Sequence, residues 1–344
     1  MKIGKRIISH KTNPFIIGEI GINHNGLLDN AIKLIDYAKD AGFEAVKFQT
    51  YNTNLLLKKK TRLAAYQKKK IKDDDMFSML KKYELSFNNF YFLKKYCDKK
   101  KIIFLSTPFD EESANFLNSI NVKAFKISSG DFDNLILLEK IKKFKKPIIL
   151  STGMSGDKEI KIILNQFKDY KNKLSILHCI SDYPTPLKDI QINQITKLRK
   201  FNDCVGFSDH TQGFIASALA ISLGARIIEK HITLDNQMDG PDHSSSLNKN
   251  QFKEFIKTII DVKKVFSNDK RYLTKSEVAN KQLVRKSLFF KDDYKKNQLI
   301  KKSMLLPLRP KKLGISPINY KKILNKRIIK DVKKNEQIKE KYFK

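Results

Sequence analysis

The chain has 344 residues, of which 41% are hydrophobic, and its net charge is +33. This length suits one large domain plus a small one, and the hydrophobic content is enough for a packed core. No apolar run approaches the roughly 20 residues that a membrane span needs, and the basic start of the chain is a poor secretory signal. The three cysteines are widely spaced and form neither a disulfide framework nor a metal motif. We therefore expect a cytoplasmic protein without a membrane partner.

The positive charge comes mostly from lysine and is spread along the whole chain. Asparagine and isoleucine are abundant too, which is typical of compositional drift, and the lysine runs would then form solvated faces. No zinc finger, aromatic-basic motif or isolated basic tail accompanies them. We therefore expect no nucleic-acid partner, although the charge would attract anionic substrates at long range.

Eight short apolar runs predict buried strands: 15–20, 44–50, 102–106, 124–127, 147–150, 174–179, 204–207 and 226–232. Stretches with helical spacing of apolar residues separate nearly all of them: 27–41, 76–85, 87–97, 113–120, 134–144, 158–167, 192–201, 213–224 and 250–265. This alternation indicates an α/β fold with a parallel sheet, and eight units suggest a closed (β/α)8 barrel, the TIM barrel. The polar insertion at 51–75 would be an extended loop over the active face.

Polar side chains gather at or just past the ends of the predicted strands, where the active face of such a barrel lies. They are Glu19, Lys47, Gln49, Thr107, Lys126, Ser129, Ser151, Tyr183, His210, Glu229 and His231. Ammonium and hydroxyl groups suit phosphate and carboxylate oxygens, so Lys47 and Lys126 together indicate a pocket for a small dianion. Taken alone, Lys126 is equally well interpreted as a salt-bridged lysine at a strand end.

His210 comes after one predicted strand and His231 lies at the end of the neighbouring one, and both have acids beside them. A single one would more often be a packed core residue, but the pair indicates a site that shares one divalent metal ion. Neutral imidazoles suit Mn²⁺ or Zn²⁺ better than Ca²⁺, and two protein ligands leave open positions for a substrate oxygen. Glu19 and Glu229 are the candidate acid and base, and a surface salt bridge is the alternative for each.

The sequence changes in character after the barrel domain, 1–266. Residues 267–282 are polar and predict a linker, and residues 283–344 predict a small second domain. A domain of roughly 60 residues has marginal stability alone, so we expect it to lean on the barrel or on a partner subunit.

Nine segments resemble the sialic acid synthases, and they occur in one order along the chain: EIGINHNG (19–26), VKFQT (46–50), STPFD (106–110), KISSGD (126–131), LSTGMS (150–155), YPTP (183–186), GFSDH (206–210), EKHITLD (229–235) and GPDH (240–243). RKS (285–287) and LRPKKLGISP (308–317) resemble the antifreeze-like, or SAF, domain of the same family. The resemblance covers nearly the whole chain. It implies a TIM barrel, a SAF domain and a domain-swapped homodimer.

The reaction that this resemblance implies joins phosphoenolpyruvate to an N-acetylhexosamine. Carbon 3 of phosphoenolpyruvate attacks the open-chain aldehyde, water adds at carbon 2, and phosphate leaves by C–O cleavage. The first hypothesis is an N-acetylneuraminate synthase that uses N-acetylmannosamine, and the alternative is an N,N'-diacetyllegionaminate synthase that uses a 6-deoxy diacetamido hexose. The loop GPDHSSSL argues against the pseudaminate branch. A remote alternative, a non-catalytic basic binding protein, is opposed by intact lysines and histidines.

Residue roles are implied by the same motifs. His210 and His231 would bind the divalent ion, Mn²⁺ or Mg²⁺, and Glu19 would orient or deprotonate water or a sugar hydroxyl. The residues expected to hold phosphoenolpyruvate are Lys47, Thr107, Lys126, Ser129 and Ser151. Those expected to position the sugar are Gln49, Tyr183, Glu229 and Asp242. Arg309 would reach the acyl group of the acceptor from the other subunit.

Three positions depart from the family pattern. Ser181 stands where many relatives have Asn, which puts one phosphate or acceptor contact in doubt. Asp131 stands where Glu is common and shortens a sugar-facing carboxylate by one methylene. Lys311 replaces the Gly that follows Arg-Pro near Arg309.

Overall fold

The computed structural model describes residues 1–68, 70, 73–266, 270–311 and 313–343. The chain divides into two compact units, Met1–Ser267 and Asn268–Lys344. The first unit begins with an antiparallel hairpin of β1 (Lys2–Ile3) and β2 (Arg6–Ile7).

Within the described residues, eight parallel strands form the barrel of the first unit. They are β3 (Phe15–Gly21), β4 (Ala45–Thr50), β5 (Ile103–Pro108), β6 (Phe125–Ile127), β7 (Ile148–Ser151), β8 (Leu174–Cys179), β9 (Val205–Asp209) and β10 (Ile227–Thr233). Their order is β5-β4-β3-β10-β9-β8-β7-β6, and β5 lies beside β6. A two-residue strand, β11 (Leu247–Asn248), pairs with β10. The predicted (β/α)8 barrel is confirmed.

Helices connect successive strands and surround the barrel. They are α1 (Leu28–Ala41), α2 (Thr53–Leu56), α3 (Ala65–Lys68), α4 (Met76–Tyr83), α5 (Phe87–Lys100), α6 (Glu111–Ser119), α7 (Leu135–Lys143), α8 (Asp157–Gln166), α9 (Gln194–Leu198), α10 (Ile215–Ser222) and α11 (Phe252–Val265). Gly42 ends α1 with a φ of 100°, which a residue with a side chain rarely adopts. The insertion at 51–75, predicted as a loop, contains α2 and α3. Across the described chain, no helix is both long and apolar enough to cross a bilayer.

Side chains of the barrel strands alternate between the interior and the surrounding helices, because the side-chain period of a strand is two. In β3, Phe15 and Ile17 lie in the interior, whereas Ile16 and Ile20 pack in the layer shared with the helices. The apolar interior positions form one layer near the strand beginnings: Phe15, Ile17, Ala45, Leu105, Ala124, Ile149, Leu177, Cys204 and Ile227. Ile3 of β1 packs against this layer. The interior near the carboxyl ends is left for polar side chains.

The second unit has its own small core and contains α12 (Lys275–Val284), β12 (Ser287–Phe290) and β13 (Leu305–Leu308). The last two pair in antiparallel fashion. The core residues are Leu288, Phe290, Ile300, Met304, Ile315, Ile323, Ile328, Val332, Ile338 and Tyr342.

The later part of the predicted linker, 267–282, is helical, because α12 begins at Lys275. The Thr274 hydroxyl accepts a hydrogen bond from Glu277 N, and the Glu277 carboxylate accepts one from Thr274 N. This reciprocal capping box starts a helix in a polar sequence that lacks an apolar stripe. Residues 267–269 lie outside the described residues.

Candidate active site

The carboxyl ends of the barrel strands enclose a cavity of about 330 Å³. In most strands the interior position two residues beyond the apolar layer lines it with a polar side chain: Glu19, Lys47, Thr107, Lys126, Ser151, Cys179 and Glu229. Predicted site residues from further along the strands and from their loops also line it: Gln49, Ser129, Ser181, Tyr183, His210 and His231. The period of two therefore brings residues that are distant in sequence to one wall.

Two lysines and two glutamates meet at the floor of this cavity. Lys47 Nζ lies 2.8 Å from Glu19 Oε2 and 3.8 Å from Glu229 Oε1. Lys126 Nζ lies 3.6 Å from the same Glu229 oxygen. All four side chains are buried, so these ion pairs are screened little by water.

Hydroxyl groups complete the contacts of the floor. Lys126 Nζ donates to Ser151 Oγ at 2.7 Å, and Lys47 Nζ donates to Thr107 Oγ1 at 3.2 Å. Ser208 Oγ donates to Glu229 Oε1 at 2.8 Å. Each ammonium group thus stands beside both a carboxylate and a hydroxyl, an arrangement suited to an anion with several oxygen atoms.

The two glutamates differ in their ionisation. Burial raises the pKa of Glu19 to about 7, against the opposing effect of Lys47 and with the help of Glu229. Burial also acts to raise the pKa of Glu229, but Lys126 and Lys47 outweigh it and the pKa of Glu229 is lowered. Glu229 is therefore ionised at neutral pH, whereas Glu19 exchanges a proton in that range. A carboxyl group that titrates near neutral pH is suited to proton transfer.

The two histidines lie side by side, with ring centroids 5.5 Å apart. The Ile180 carbonyl accepts a hydrogen bond from His210 Nδ1 at 2.6 Å, so the neutral form of this ring has its lone pair on Nε2. Burial acts to lower the pKa of His210, but Cys179 and the Ile180 carbonyl outweigh it and the pKa is raised. His231 Nδ1 is buried and has no hydrogen-bond partner among the described residues, and Asp242 Oδ2 lies 4.0 Å from it. Burial, then His210 and Lys47, hold the pKa of His231 well below its usual range. His231 is therefore a neutral imidazole.

The insertion at 51–75 contacts the site from above the strand ends. The ring of Tyr66 lies tilted against that of Tyr183, with centroids 5.1 Å apart. Tyr183 stacks on His210, with ring centroids 4.1 Å apart. Lys70 Nζ donates to the backbone oxygens of Tyr183 and Pro241, at 3.0 Å and 2.9 Å. The insertion is thus joined to two other loops of the same face.

The NeuB family profile matches residues 34–271. The chain belongs to the NeuB family. The N,N'-diacetyllegionaminic acid synthase of Campylobacter jejuni is 40% identical over 330 residues, which cover 94% of this chain and 98% of that protein. The synthase of the same name from Legionella pneumophila is 37% identical and covers 91% of this chain and 90% of that protein. The N-acetylneuraminic acid synthetase of Leptospira borgpetersenii, solved in complex with citrate, has a TM-score of 0.73 and 32% identity, and covers 81% of this chain and 94% of that one.

These relatives confirm the resemblance to the sialic acid synthases. The chain is an enzyme, a synthase of the NeuB family. The alternative of a non-catalytic basic binding protein is therefore wrong. The identity of the second unit as a SAF domain stays a prediction.

Two predicted site residues of the first unit, Asp131 and Asp242, do not line the cavity. The Asp131 carboxylate accepts hydrogen bonds from Ser128 Oγ and Asn134 Nδ2, at 3.0 Å and 3.1 Å, and is thus held at the start of α7. Asp242 is buried beside His231 without reaching the lining. Arg309 belongs to the second unit, where it is exposed, and its role stays a prediction.

The cavity also has lining residues that the sequence reasoning missed. Cys179 Sγ lies 3.4 Å from Ser129 Oγ and 3.9 Å from His210 Nδ1, and Ser208 contacts Glu229. Cys179 continues the interior register of β8, so the alternation of that strand was the available signal. Tyr66 lies in the polar insertion, where no periodicity pointed to it.

The loop that carries Asp242 is fastened to the turn after β3. His243 Nδ1 lies 2.6 Å from Thr233 Oγ1, and His243 Nε2 lies 2.9 Å from Asn25 Oδ1. Asn23 Nδ2 donates to the Ile232 carbonyl at 2.9 Å. The motifs EIGINHNG and GPDH therefore meet in space, and their contacts fix Asp242 next to His231.

Proposed function

We propose that this enzyme condenses phosphoenolpyruvate with an N-acetylated hexosamine and releases phosphate. The observation that carries the proposal is the buried floor on which Lys47 and Lys126 stand beside hydroxyl groups. Phosphoenolpyruvate carries a carboxylate and a phosphate, and both are recognised by ammonium and hydroxyl donors. The match to the NeuB family supports the same reaction class.

The phosphoenolpyruvate site would extend from the floor to the loops after β6 and β7. Gly153 N donates to Ser129 Oγ at 3.0 Å. A Cβ atom at Gly153 would lie 2.4 Å from Ser181 Oγ and 2.6 Å from Ser129 Oγ, so a side chain there would displace both hydroxyl groups. Lys47, Thr107, Lys126, Ser129 and Ser151 would then hold the phosphate and carboxylate, as the resemblance implies.

In this proposal, Glu19 transfers the proton. Its carboxyl group lies on the cavity wall, within 3.3 Å of Gln49 Nε2 and 2.8 Å of Lys47 Nζ. Its raised pKa lets it accept a proton near neutral pH, either from water or from a sugar hydroxyl. Glu229, which is ionised, would instead hold both lysines in position.

The donor set fits a divalent ion bound by two histidines. His231 is neutral and has a buried Nδ1 without a partner among the described residues, and the neutral form of His210 has its lone pair on Nε2. The described residues contain no group of three or more His, Cys, Asp and Glu side chains arranged as a metal site. We propose that His210 and His231 hold Mn²⁺ or Mg²⁺, with the remaining positions open. Bound there, the ion would supply Lewis-acid polarisation of the aldehyde oxygen.

We propose a 6-deoxy diacetamido hexose as the acceptor, because the two curated relatives above are legionaminic acid synthases. Ala64, Phe109 and Met154 add apolar surface to the cavity wall, which suits a methyl group at carbon 6. N-acetylmannosamine, the first hypothesis from the sequence, is the second candidate, since the Leptospira relative is an N-acetylneuraminic acid synthetase.

The two acceptors are distinguished by phosphate release. Purified enzyme is incubated with phosphoenolpyruvate, Mn²⁺ and each sugar in turn, and phosphate is measured over time. Faster release with the diacetamido sugar is expected. Release only with N-acetylmannosamine would reverse the choice of acceptor, and release with neither sugar, from folded and metal-loaded enzyme, would contradict the proposed condensation.

Arg309 extends the proposal to a second subunit. Following the resemblance, we propose that it reaches the acyl group of an acceptor bound by the partner in a domain-swapped homodimer. Co-expression of Arg309→Ala and His210→Ala chains tests this, because each hybrid dimer would keep one complete site. Absence of activity in the hybrid would argue against a shared site.

A further inference from the structure

A buried ion pair lies directly behind the two histidines. Asp209 of β9 and Lys230 of β10 are partners in the strand register, and Lys230 Nζ lies 3.1 Å from Asp209 Oδ2. Each residue is only 1% exposed. Asp209 directly precedes His210, and Lys230 directly precedes His231. The pair thus links the two strand ends that carry the imidazoles.

Further hydrogen bonds hold both members of this pair. Asp209 Oδ1 accepts from Thr211 N and Thr211 Oγ1, both at 2.8 Å, and Asp209 Oδ2 accepts from Ser217 Oγ at 2.6 Å. Lys230 Nζ donates to the Thr211 carbonyl. Thr211 directly follows His210, so the network holds the backbone on both sides of that histidine.

The pair occupies the outer face of the barrel, among apolar side chains. Phe207 precedes Asp209 on this face, and Ile228 and Ile232 flank Lys230 on it. Burying two charges in such a layer is costly, and apolar replacements of a buried ion pair are often neutral or stabilising. The pair is therefore poorly explained as a source of stability.

The buried ion pair is better explained by its effect on the register between β9 and β10. Successive side chains of a strand point to opposite faces, so a shift of one residue between β9 and β10 would move a histidine from the cavity to the outer layer. A charge pair at matching register positions is satisfied in one register only. It therefore fixes the two strands directly beside the histidines.

We propose that Asp209 and Lys230 are positioning residues that set the separation and orientation of the imidazoles of His210 and His231. The consequence for divalent-metal affinity rests on the proposed function, whereas the effect on ring geometry does not. Neither residue lines the cavity, so both act only through the histidines.

The test replaces the pair by apolar groups of similar size, in the double variant Asp209→Leu/Lys230→Met of the full chain. Three quantities are compared with wild type: the separation of the two imidazole rings in crystal structures, the Mn²⁺ affinity by calorimetry, and the thermal midpoint. The matched control is Thr50→Val/Ser106→Ala, which removes a buried 2.7 Å hydroxyl contact from strands that carry no histidine.

We expect the double variant to keep or raise its thermal midpoint, to move the rings from their 5.5 Å separation, and to bind Mn²⁺ about tenfold more weakly. Its KM for phosphoenolpyruvate should stay at the wild-type value, and the control should keep both ring geometry and metal affinity. Unchanged ring geometry in the double variant would overturn the proposal. If wild-type protein binds no Mn²⁺, the metal proposal is contradicted. The ring separation then still tests the positioning role of Asp209 and Lys230.

A single substitution tests the proposal if the double variant does not fold. Ser217→Ala removes one hydrogen bond to Asp209 and leaves the ion pair in place. We expect a smaller loss of Mn²⁺ affinity, about twofold to threefold. Wild-type affinity together with wild-type ring geometry in this variant would count against the proposal.

Discussion

Glu19 and Lys47 occupy matching register positions on neighbouring strands, and their charged groups lie 2.8 Å apart in a buried pair. Glu19 is matched in the same way to His231 on its other side. One carboxyl group therefore stands between the proposed phosphoenolpyruvate site and the proposed metal site. This placement is the basis for its role in proton transfer.

Glu19→Gln should lower turnover by roughly 10²- to 10⁴-fold, the usual contribution of a general acid or base. In the wild type, turnover should fall as the pH drops through about 7, because Glu19 then becomes protonated. The variant should lack this acidic limb, whereas Glu139→Gln, at an exposed site on α7, should keep it. A variant with the wild-type pH–rate profile would remove Glu19 from the chemistry.

The raised pKa of Glu19 also predicts that the stability of the protein depends on pH. The folded pKa of Glu19 is about 7 and its ordinary value is 4.5, so the folded state favours the protonated form. Its contribution to stability is fully present below about pH 4.5 and is lost as the pH rises through about 7. The thermal midpoint of Glu19→Gln relative to wild type should therefore rise between those values. A difference that stays constant with pH would contradict the raised pKa.

Lys126→Met should raise the KM for phosphoenolpyruvate roughly 10- to 100-fold, the value of a hydrogen bond to a charged group. The change removes an ammonium group 2.7 Å from Ser151 Oγ and 3.6 Å from Glu229. Lys123→Met alters an exposed lysine just before the same strand and should have no effect. Steady-state kinetics measure both, and equal KM values would remove Lys126 from the phosphoenolpyruvate site.

His210→Ala should abolish Mn²⁺ binding and turnover while the circular dichroism spectrum stays that of the folded protein. Wild-type enzyme treated with EDTA should lose its activity and regain it with Mn²⁺. His10→Ala, at an exposed position, is the control. Retained turnover in His210→Ala, or activity that survives chelation, would argue against a metal bound by the two histidines.

Tyr66→Ala and Lys70→Ala should raise the KM for the acceptor sugar more than the KM for phosphoenolpyruvate. Tyr66 lines the cavity and stacks near Tyr183, and Lys70 joins the insertion to Tyr183 and Pro241. Lys68→Ala, at an exposed position in α3, should behave like wild type. If both KM values rise equally, the insertion does not select the acceptor.

The barrel and most of the cavity wall could be predicted because one physical rule produces both. Parallel strands send alternate side chains inward, so an apolar residue such as Ile17 or Ala45 is followed two positions later by Glu19 or Lys47 at the carboxyl end. The type of side chain at those ends then indicated the chemistry. No tertiary information was needed for this step.

The remaining features depend on contacts that periodicity does not describe. Ser128 and Asn134 donate hydrogen bonds to the Asp131 carboxylate, which does not line the cavity although Asp131 belongs to the KISSGD motif. Tyr66 reaches the site from a polar insertion, and α12 starts at a capping box in a segment without apolar spacing. The spacing of Thr274 and Glu277 is the sequence signal for that helix, although the residues around it are polar.

The central claim is that one cavity holds phosphoenolpyruvate beside a metal site built from two histidines. A crystal structure of the enzyme with phosphoenolpyruvate and Mn²⁺ tests it most directly. We predict ligand oxygens within hydrogen-bonding distance of Lys47 and Lys126, and the ion coordinated by His210 and His231. Phosphoenolpyruvate bound outside this cavity, or Mn²⁺ bound away from both histidines, would contradict the account.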